Sequence, residues 1–265
     1  MKRVFATAAG FAMVAAGAVA APTVLAPNRA IYDVSLAKTT AGGIIAAHDR
    51  IVIEFRDVCD GWSTTQRMVA DLSDADGRVS RTDFLVNAWE SKIGREMRFD
   101  ITNSTDGQLL ERQQGDAKIG EDGSGEVSLA EPKPLDFPLP AGTQFPTGQI
   151  LEVLKAAGDG RTSLKGIVFQ GGDKSDVYLS TVLIGRKGEA TPNETTLDKN
   201  DLLKNAAEWP VLISFFPNDA QSEMPDYEIA SRLFANGVIG SMSLIYPKYT
   251  LKATLIGLEP LAPAC

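Results

Sequence analysis

One histidine and two cysteines are all that this 265-residue chain has of the side chains that bind transition metals or drive most nucleophilic chemistry. A transition-metal centre therefore lacks its soft donors. A Ser-His-Asp triad would rest wholly on His48, around which no nucleophile elbow is found, so a solvated or packed histidine is the plainer reading. Basic residues are also short, at 26 against 34 acidic, for a net charge of −8. Such a balance disfavours nucleic acid and anionic membrane surfaces as partners and serves solubility. Neither a phosphate-cradling loop nor a dinucleotide glycine fingerprint is present. No Ser/Gly-rich linker and no repeat of about 20–50 residues divides the chain, which excludes a propeller or solenoid.

Three weak motifs can be set aside on their contexts. Asp71, Asp74, Asp76 and Gly77 approach a calcium loop, but no glutamate closes it at the twelfth place. Ser35-Leu36-Ala37-Lys38 has the spacing of a serine acylase motif, yet it falls on a strand pattern and lacks its partner motifs. Paired carboxylates for glycoside cleavage cannot be picked out among 34 acids. The inventory points to a binding or structural role, with no cofactor, and not to an enzyme.

What is present begins with an export signal. Met1-Lys2-Arg3 is a short cationic region, and Val4 to Val19 follow without a charge. Ala18-Val19-Ala20 places small residues at a cleavage site, so cleavage is expected after Ala20, with residues 1–20 as signal peptide and 21–265 as a single domain. Without Lys2 and Arg3 the balance becomes 24 basic against 34 acidic, a net charge of −10. Export implies the periplasm, an oxidising compartment in which Cys59 and Cys265 are expected to form one disulfide.

Strand patterns dominate the remainder. Ile31 to Leu36 alternates, and Ile51 to Phe55 and Gln66 to Leu72 are further β-rich runs. Asp76-Gly77, Asp106-Gly107, Asp122-Gly123, Gly171-Gly172 and Asn236-Gly237 mark tight turns, because these residues tolerate positive φ. The last third reads most clearly: Tyr227 to Ala235, a turn, Val238 to Tyr246, then Tyr249 to Leu258, as three antiparallel strands. One segment differs. After a proline-rich linker, Pro132 to Pro146, helical spacing is expected over Thr147 to Gly158. There Ile150, Leu151, Leu154 and Ala157 form the apolar stripe, Thr147 the cap and Gly158 the stop. A second short helix is expected from Asp198 to Ala207. A lone amphipathic helix in such a chain buries its stripe against the sheet.

Cys59-Asp60-Gly61-Trp62, Trp209-Pro210-Val211, Phe216, Pro225-Asp226-Tyr227, Asn236-Gly237-Val238, Tyr249-Thr250-Leu251 and the final Cys265 together resemble the EipB family of periplasmic cell-envelope integrity proteins. The likeness covers essentially the whole mature chain. It implies a mainly β fold: a large open antiparallel β-spiral, similar to a broken barrel, wrapped around one helix and closed by the Cys59–Cys265 bridge. It also implies a role in envelope stability under stress, with a periplasmic or envelope protein as partner, a tetratricopeptide-repeat protein being one class. The alternative is a carrier of a lipid or another apolar envelope molecule, since the family is also similar to such carriers. Trp62, Trp89, Trp209, Phe215 and Phe216 are the candidate binding surface, with ordinary core packing as their bland alternative. The two cysteines yield the first prediction. Thiol titration of the unfolded, unreduced protein finds no reactive thiol, and Cys59→Ser or Cys265→Ser costs roughly 2–5 kcal/mol of stability, read as a lower melting temperature.

Overall fold

A computed structural model describes residues 24–40, 44–73, 76–189, 200–204, 206–218 and 223–263. The signal segment and Cys265 lie outside the described residues, as do Asp198, Lys199 and Asn205 of the expected second helix. Eight strands open the chain as successive antiparallel neighbours: β1 (Asn28–Thr39), β2 (Ala46–Asp57), β3 (Gly61–Ser73), β4 (Val79–Ser91), β5 (Glu96–Thr105), β6 (Gln108–Ile119), β7 (Gly125–Glu131) and β8 (Leu135–Leu139). After β9 (Thr143–Gln144) comes the helix α1 (Pro146–Gly158), and then β10 (Ser163–Phe169), β11 (Val177–Ile184) and the two-residue β12 (Gly188–Glu189). The chain closes with β13 (Ala207–Pro217), β14 (Tyr227–Phe234), β15 (Ile239–Ile245) and β16 (Tyr249–Pro260).

All sixteen strands of the described residues belong to one sheet, ordered β8-β7-β6-β5-β4-β3-β2-β1-β16-β15-β14-β13-β11-β10-β9, with β12 beside β13. Its ladders are antiparallel except for the two-residue pairing of β9 with β10. The two ends of this path are β8 and β9, which are separated in the chain only by Pro140, Ala141 and Gly142. Thr143 holds that joint tight, its amide and its hydroxyl both donating to the Pro140 carbonyl, at 3.2 and 2.7 Å. Sheet edges tied so closely oblige the sheet to roll up, and the expected open spiral is in fact a nearly closed barrel-like sheet. Phe99 of β5 and Phe137 of β8 both meet Phe169 of β10 edge to face, at 5.6 and 6.1 Å, so the seam is packed.

Local chemistry explains the elements. Alternation puts Ala30, Tyr32 and Val34 of β1 and Val211, Ile213 and Phe215 of β13 on the concave side, fully buried. The convex side carries cross-strand ion pairs, with Arg67 forked onto Asp83 and Arg81 onto Asp71. Exposed pairs of this kind add little stability but keep the outer surface polar. Each expected turn dipeptide lies between two strands. Asp106 and Gly107 both take positive φ, 51° and 78°, the signature of a primed hairpin turn.

Three expectations are corrected. Pro132 to Pro146 is not a linker, since it holds β8 and β9; Pro138 is tolerated because β8 is an edge strand, where one missing amide costs no ladder bond. Asp201 to Lys204 forms a turn, not a helix, and the chain is already strand at Ala207. The Asn200 side chain accepts from the Leu202 amide and so favours the turn. Thr147 is not the helix cap, as α1 begins at Pro146 and its amides are satisfied from elsewhere.

Gly61 opens β3 against Trp89 and Glu90 of β4. A Cβ there would fall 2.2 Å from Nε1 of Trp89 and 2.6 Å from the Glu90 carbonyl oxygen. Gly61→Ala is expected to cost about 1–3 kcal/mol by overpacking, seen as a lower urea midpoint; a midpoint equal to that of the wild type would show that the strands yield at no cost.

Candidate functional site

The register of β2 to β5 lays concave-facing side chains in cross-strand rows. Asp57, Trp62, Glu90 and Met97 form one row, and Phe55, Thr64, Ala88 and Phe99 the next. Ile53, Gln66, Val86 and Ile101 form the third, then Ile51, Met68, Phe84 and Asn103, then Asp49, Ala70 and Thr82. Three apolar clusters fill the curl unevenly. One packs α1 against β10, β11, β13 and Trp62; a second joins β1, β2, β15 and β16; a third fills the seam. Phe84 and Val86 belong to none of them and are only half-buried, as are Ile53, Met68 and Ile101 in their rows. An apolar wall thus stays partly open to solvent on the concave side.

α1 lies inside the curl and faces both halves of the strand path. Val153, Leu154, Ala156 and Ala157 are buried in the first cluster, the small alanines letting the helix approach the sheet closely. Ile150 and Leu151 of the expected stripe are only half-buried. Glu90 of β4 meets the helix start. Its carboxylate accepts from the Thr147 amide at 3.1 and 3.0 Å and from the Thr147 hydroxyl at 2.8 Å. A carboxylate at this end neutralises the helix dipole and the unpaired first-turn amides. Burial nonetheless pushes the Glu90 carboxyl up to about 7, against the lowering effect of those Thr147 bonds. Further along, the Gln149 amide donates to the Ser180 hydroxyl at 2.9 Å, fixing the helix to β11.

A lane of aromatic rings lines the opposite wall. Phe215 stacks on Tyr227 at 4.7 Å, Tyr227 on Tyr246 at 6.0 Å, and Tyr246 meets Tyr249 at 4.8 Å. Tyr178 abuts Phe215 and Tyr227 edge to face. The Tyr227 hydroxyl donates to Gln170 at 2.7 Å. All four tyrosines are half-buried, and burial raises their pKa values, to about 12 for Tyr178 and Tyr246. They gather at the end of the curl where β13 ends and β14 and β16 begin. Elsewhere an open hollow of 460 Å³ lies beside edge strand β8, among Lys118, Glu126, Asp136 and Pro138, with mixed charges and no convergent chemistry.

The five aromatic candidates do not share one surface. Trp62, Trp209 and Phe215 are buried on the concave side. Trp62 stacks on Phe55 at 5.1 Å, with the Lys92 ammonium 3.1 Å from its ring centroid. Trp89 and Phe216 have the opposite register and face outward, Trp89 under the Arg98 guanidinium and Phe216 paired with the exposed Leu179. Sequence reading missed Glu90, Phe84, Val86 and the tyrosines. Strand parity held the signal for Phe84, Val86 and Glu90, once a single concave residue was known. Cys59 lies in the β2–β3 turn with φ of 70°, while its expected partner Cys265 is outside the described residues. His48 is exposed on β2, and Ser35 and Lys38 lie on β1. Among the described residues no group of His, Cys, Asp and Glu could hold a metal ion.

A single barrel-like sheet curled around one helix, with an unfilled apolar wall, defines the class of protein. The EipB-like family model matches residues 19–262, and the chain belongs to that family. It is 32% identical over 256 residues to the cell envelope integrity protein EipB of Brucella abortus (strain 2308), covering 95% of this chain and 89% of that one. A crystal structure of a β-barrel-like protein from Brucella abortus, described there as a domain of unknown function, superposes with a TM-score of 0.83 at 30% identity, covering 91% of this chain and 100% of the other.

Glu90 yields a pH prediction. Between its ordinary value of 4.5 and its folded value of about 7, the folded state keeps a proton that the unfolded chain has released. Its contribution to stability therefore falls as pH rises through that window. Melting temperature should drop from pH 4.5 to 7 more steeply in the wild type than in Glu90→Gln, whose amide oxygen still accepts from Thr147; parallel curves would refute this.

Proposed function

We propose that this protein is a non-enzymatic periplasmic factor that supports cell-envelope integrity by holding an apolar envelope molecule in the concave face of its sheet. The envelope role rests on kinship with the Brucella protein named for it. Periplasmic placement rests on the cationic start, apolar run and Ala18-Val19-Ala20 site, and on two cysteines suited to an oxidising compartment. Among the described residues no helix is long and apolar enough to cross a membrane.

One observation carries the choice of ligand: among the described residues Phe84 and Val86 face inward yet belong to none of the three core clusters, and the half-buried Ile53, Met68 and Ile101 around them pack only at cluster margins. Concave apolar walls with a few polar groups are the usual setting for small-molecule binding. The Cys59–Cys265 bridge belongs to the same proposal. β16 ends at Pro260 beside Asn28, and Asn28 faces Phe55, four residues before Cys59. With strands about 4.8 Å apart and about 3.3 Å per residue, the five residues after Pro260 can reach the β2–β3 turn.

A second reading, contact with an envelope protein such as one of the tetratricopeptide-repeat class, is favoured by the convex face. There Leu179 and Leu183 of β11 are exposed and pair across strands with Phe216 and Leu212 of β13. Native mass spectrometry of the exported protein, taken with envelope extract, separates the two. A stoichiometric lipid or other apolar adduct is expected. A protein complex without such an adduct would replace the first reading with the second, and a bare monomer would overturn both.

A further inference from the structure

Asp49 is the one concave residue of β2 whose chemistry is at odds with its surroundings. It is 6% exposed, and neither carboxylate oxygen has a hydrogen-bond partner. Val34 of β1 and Ala70 of β3 flank it across the ladders, and Ala47 and Ile51 along its own strand; all four are buried apolar residues. Burial pushes its carboxyl up to about 6; the Asp71 amide, which falls short of a hydrogen bond, and His48 work the other way, while the Asp71 charge adds to the rise. A carboxyl placed so among aliphatic side chains does nothing for the core and weakens it.

Its position gives it a use. The row of Asp49, Ala70 and Thr82 lies next to the row holding Met68 and Phe84, one step toward the tyrosine-lined end of the curl. Tyr249, stacked near Tyr246, is close enough to feel the Asp49 charge. The polar group and the open apolar wall thus adjoin.

We propose that Asp49 is the polar anchor of the concave site and takes the ammonium head of an amine-bearing amphiphile, the hydrocarbon part lying along Met68, Phe84 and Val86. This rests on the apolar-ligand reading above. One carboxylate with no second ligand is too little for a divalent cation, which needs six or more oxygens. Anionic heads are repelled, and a neutral hydroxyl would recover less than a charge-assisted bond. An ammonium ion satisfies the carboxylate with a charge-assisted bond.

The test compares decylammonium with decanol, by calorimetric titration of the mature protein at pH 7.5. Decylammonium should bind about tenfold more tightly. Asp49→Asn and Asp49→Val should both abolish that preference, bringing decylammonium affinity to that of decanol or below. Two variants are used because valine suits a buried strand position even where asparagine proves disruptive. If both ligands bind the wild type equally, the anchor is refuted while the apolar site stands. A preference that survives in a folded variant also refutes Asp49 as its source. If neither ligand binds, the apolar-ligand reading fails and this inference fails with it.

Discussion

Three residues, Pro140 to Gly142, impose the shape of the whole molecule. They join the strand at one end of the sheet path to the strand at the other, so the sheet cannot lie flat. Twist alone would curl a sheet of this width, but the short joint brings one edge round to the other. The seam residues Phe99, Phe137 and Phe169 then bury one another. Because α1 comes directly after β9, the chain enters the helix at the seam, on the concave side.

An enclosed helix carries unpaired first-turn amides into a dry space, and that problem is solved by a side chain more than fifty residues away in sequence. Glu90 reaches Thr147 from β4 and so ties the helix to the first half of the sheet, while Gln149 ties it to β11 in the second half. With the helix held on that side by Trp62, Val182 and Trp209, Phe84 and Val86 in the middle of β4 join none of the three clusters among the described residues. The open wall at Phe84 and Val86 results from where the helix is fastened. An open wall made in this way requires no loop.

Much of the architecture was legible in the sequence. The alternation in β1 to β3, the five turn dipeptides, the three last strands and the span of α1 are local signals, and local physics set them. Elements set by distant contacts were not legible. Pro132 to Pro146 carries the composition of a linker, and only its place at a sheet edge lets Pro138 sit in a strand. Asp198 to Ala207 has helical spacing, yet the Asn200 side chain turns the backbone, and pairing with β14 draws the chain from Glu208 onward into the sheet. Thr147 is a fair cap by residue type, but its hydroxyl donates to Glu90 and does not accept from its own helix. The five aromatic candidates were chosen by type alone, and strand parity, known only from the register, divides them between two faces.

The strand path has one more implication. Started at β9 and traced through α1, β10 and onward to β16, then across to β1 and on to β8, the path visits its strands in the order in which they lie side by side. Apart from the parallel β9–β10 pairing and the off-path β12, the topology is that of an up-and-down ribbon with its covalent opening moved to the middle. Among the described residues, the sole ladder between partners at opposite ends of the chain, β1 with β16, exists because the backbone is interrupted there and not at Ala141. A circular permutant with its ends at Ala141 would keep every ladder while making almost all of them local, trading a late closing step in folding for early hairpins.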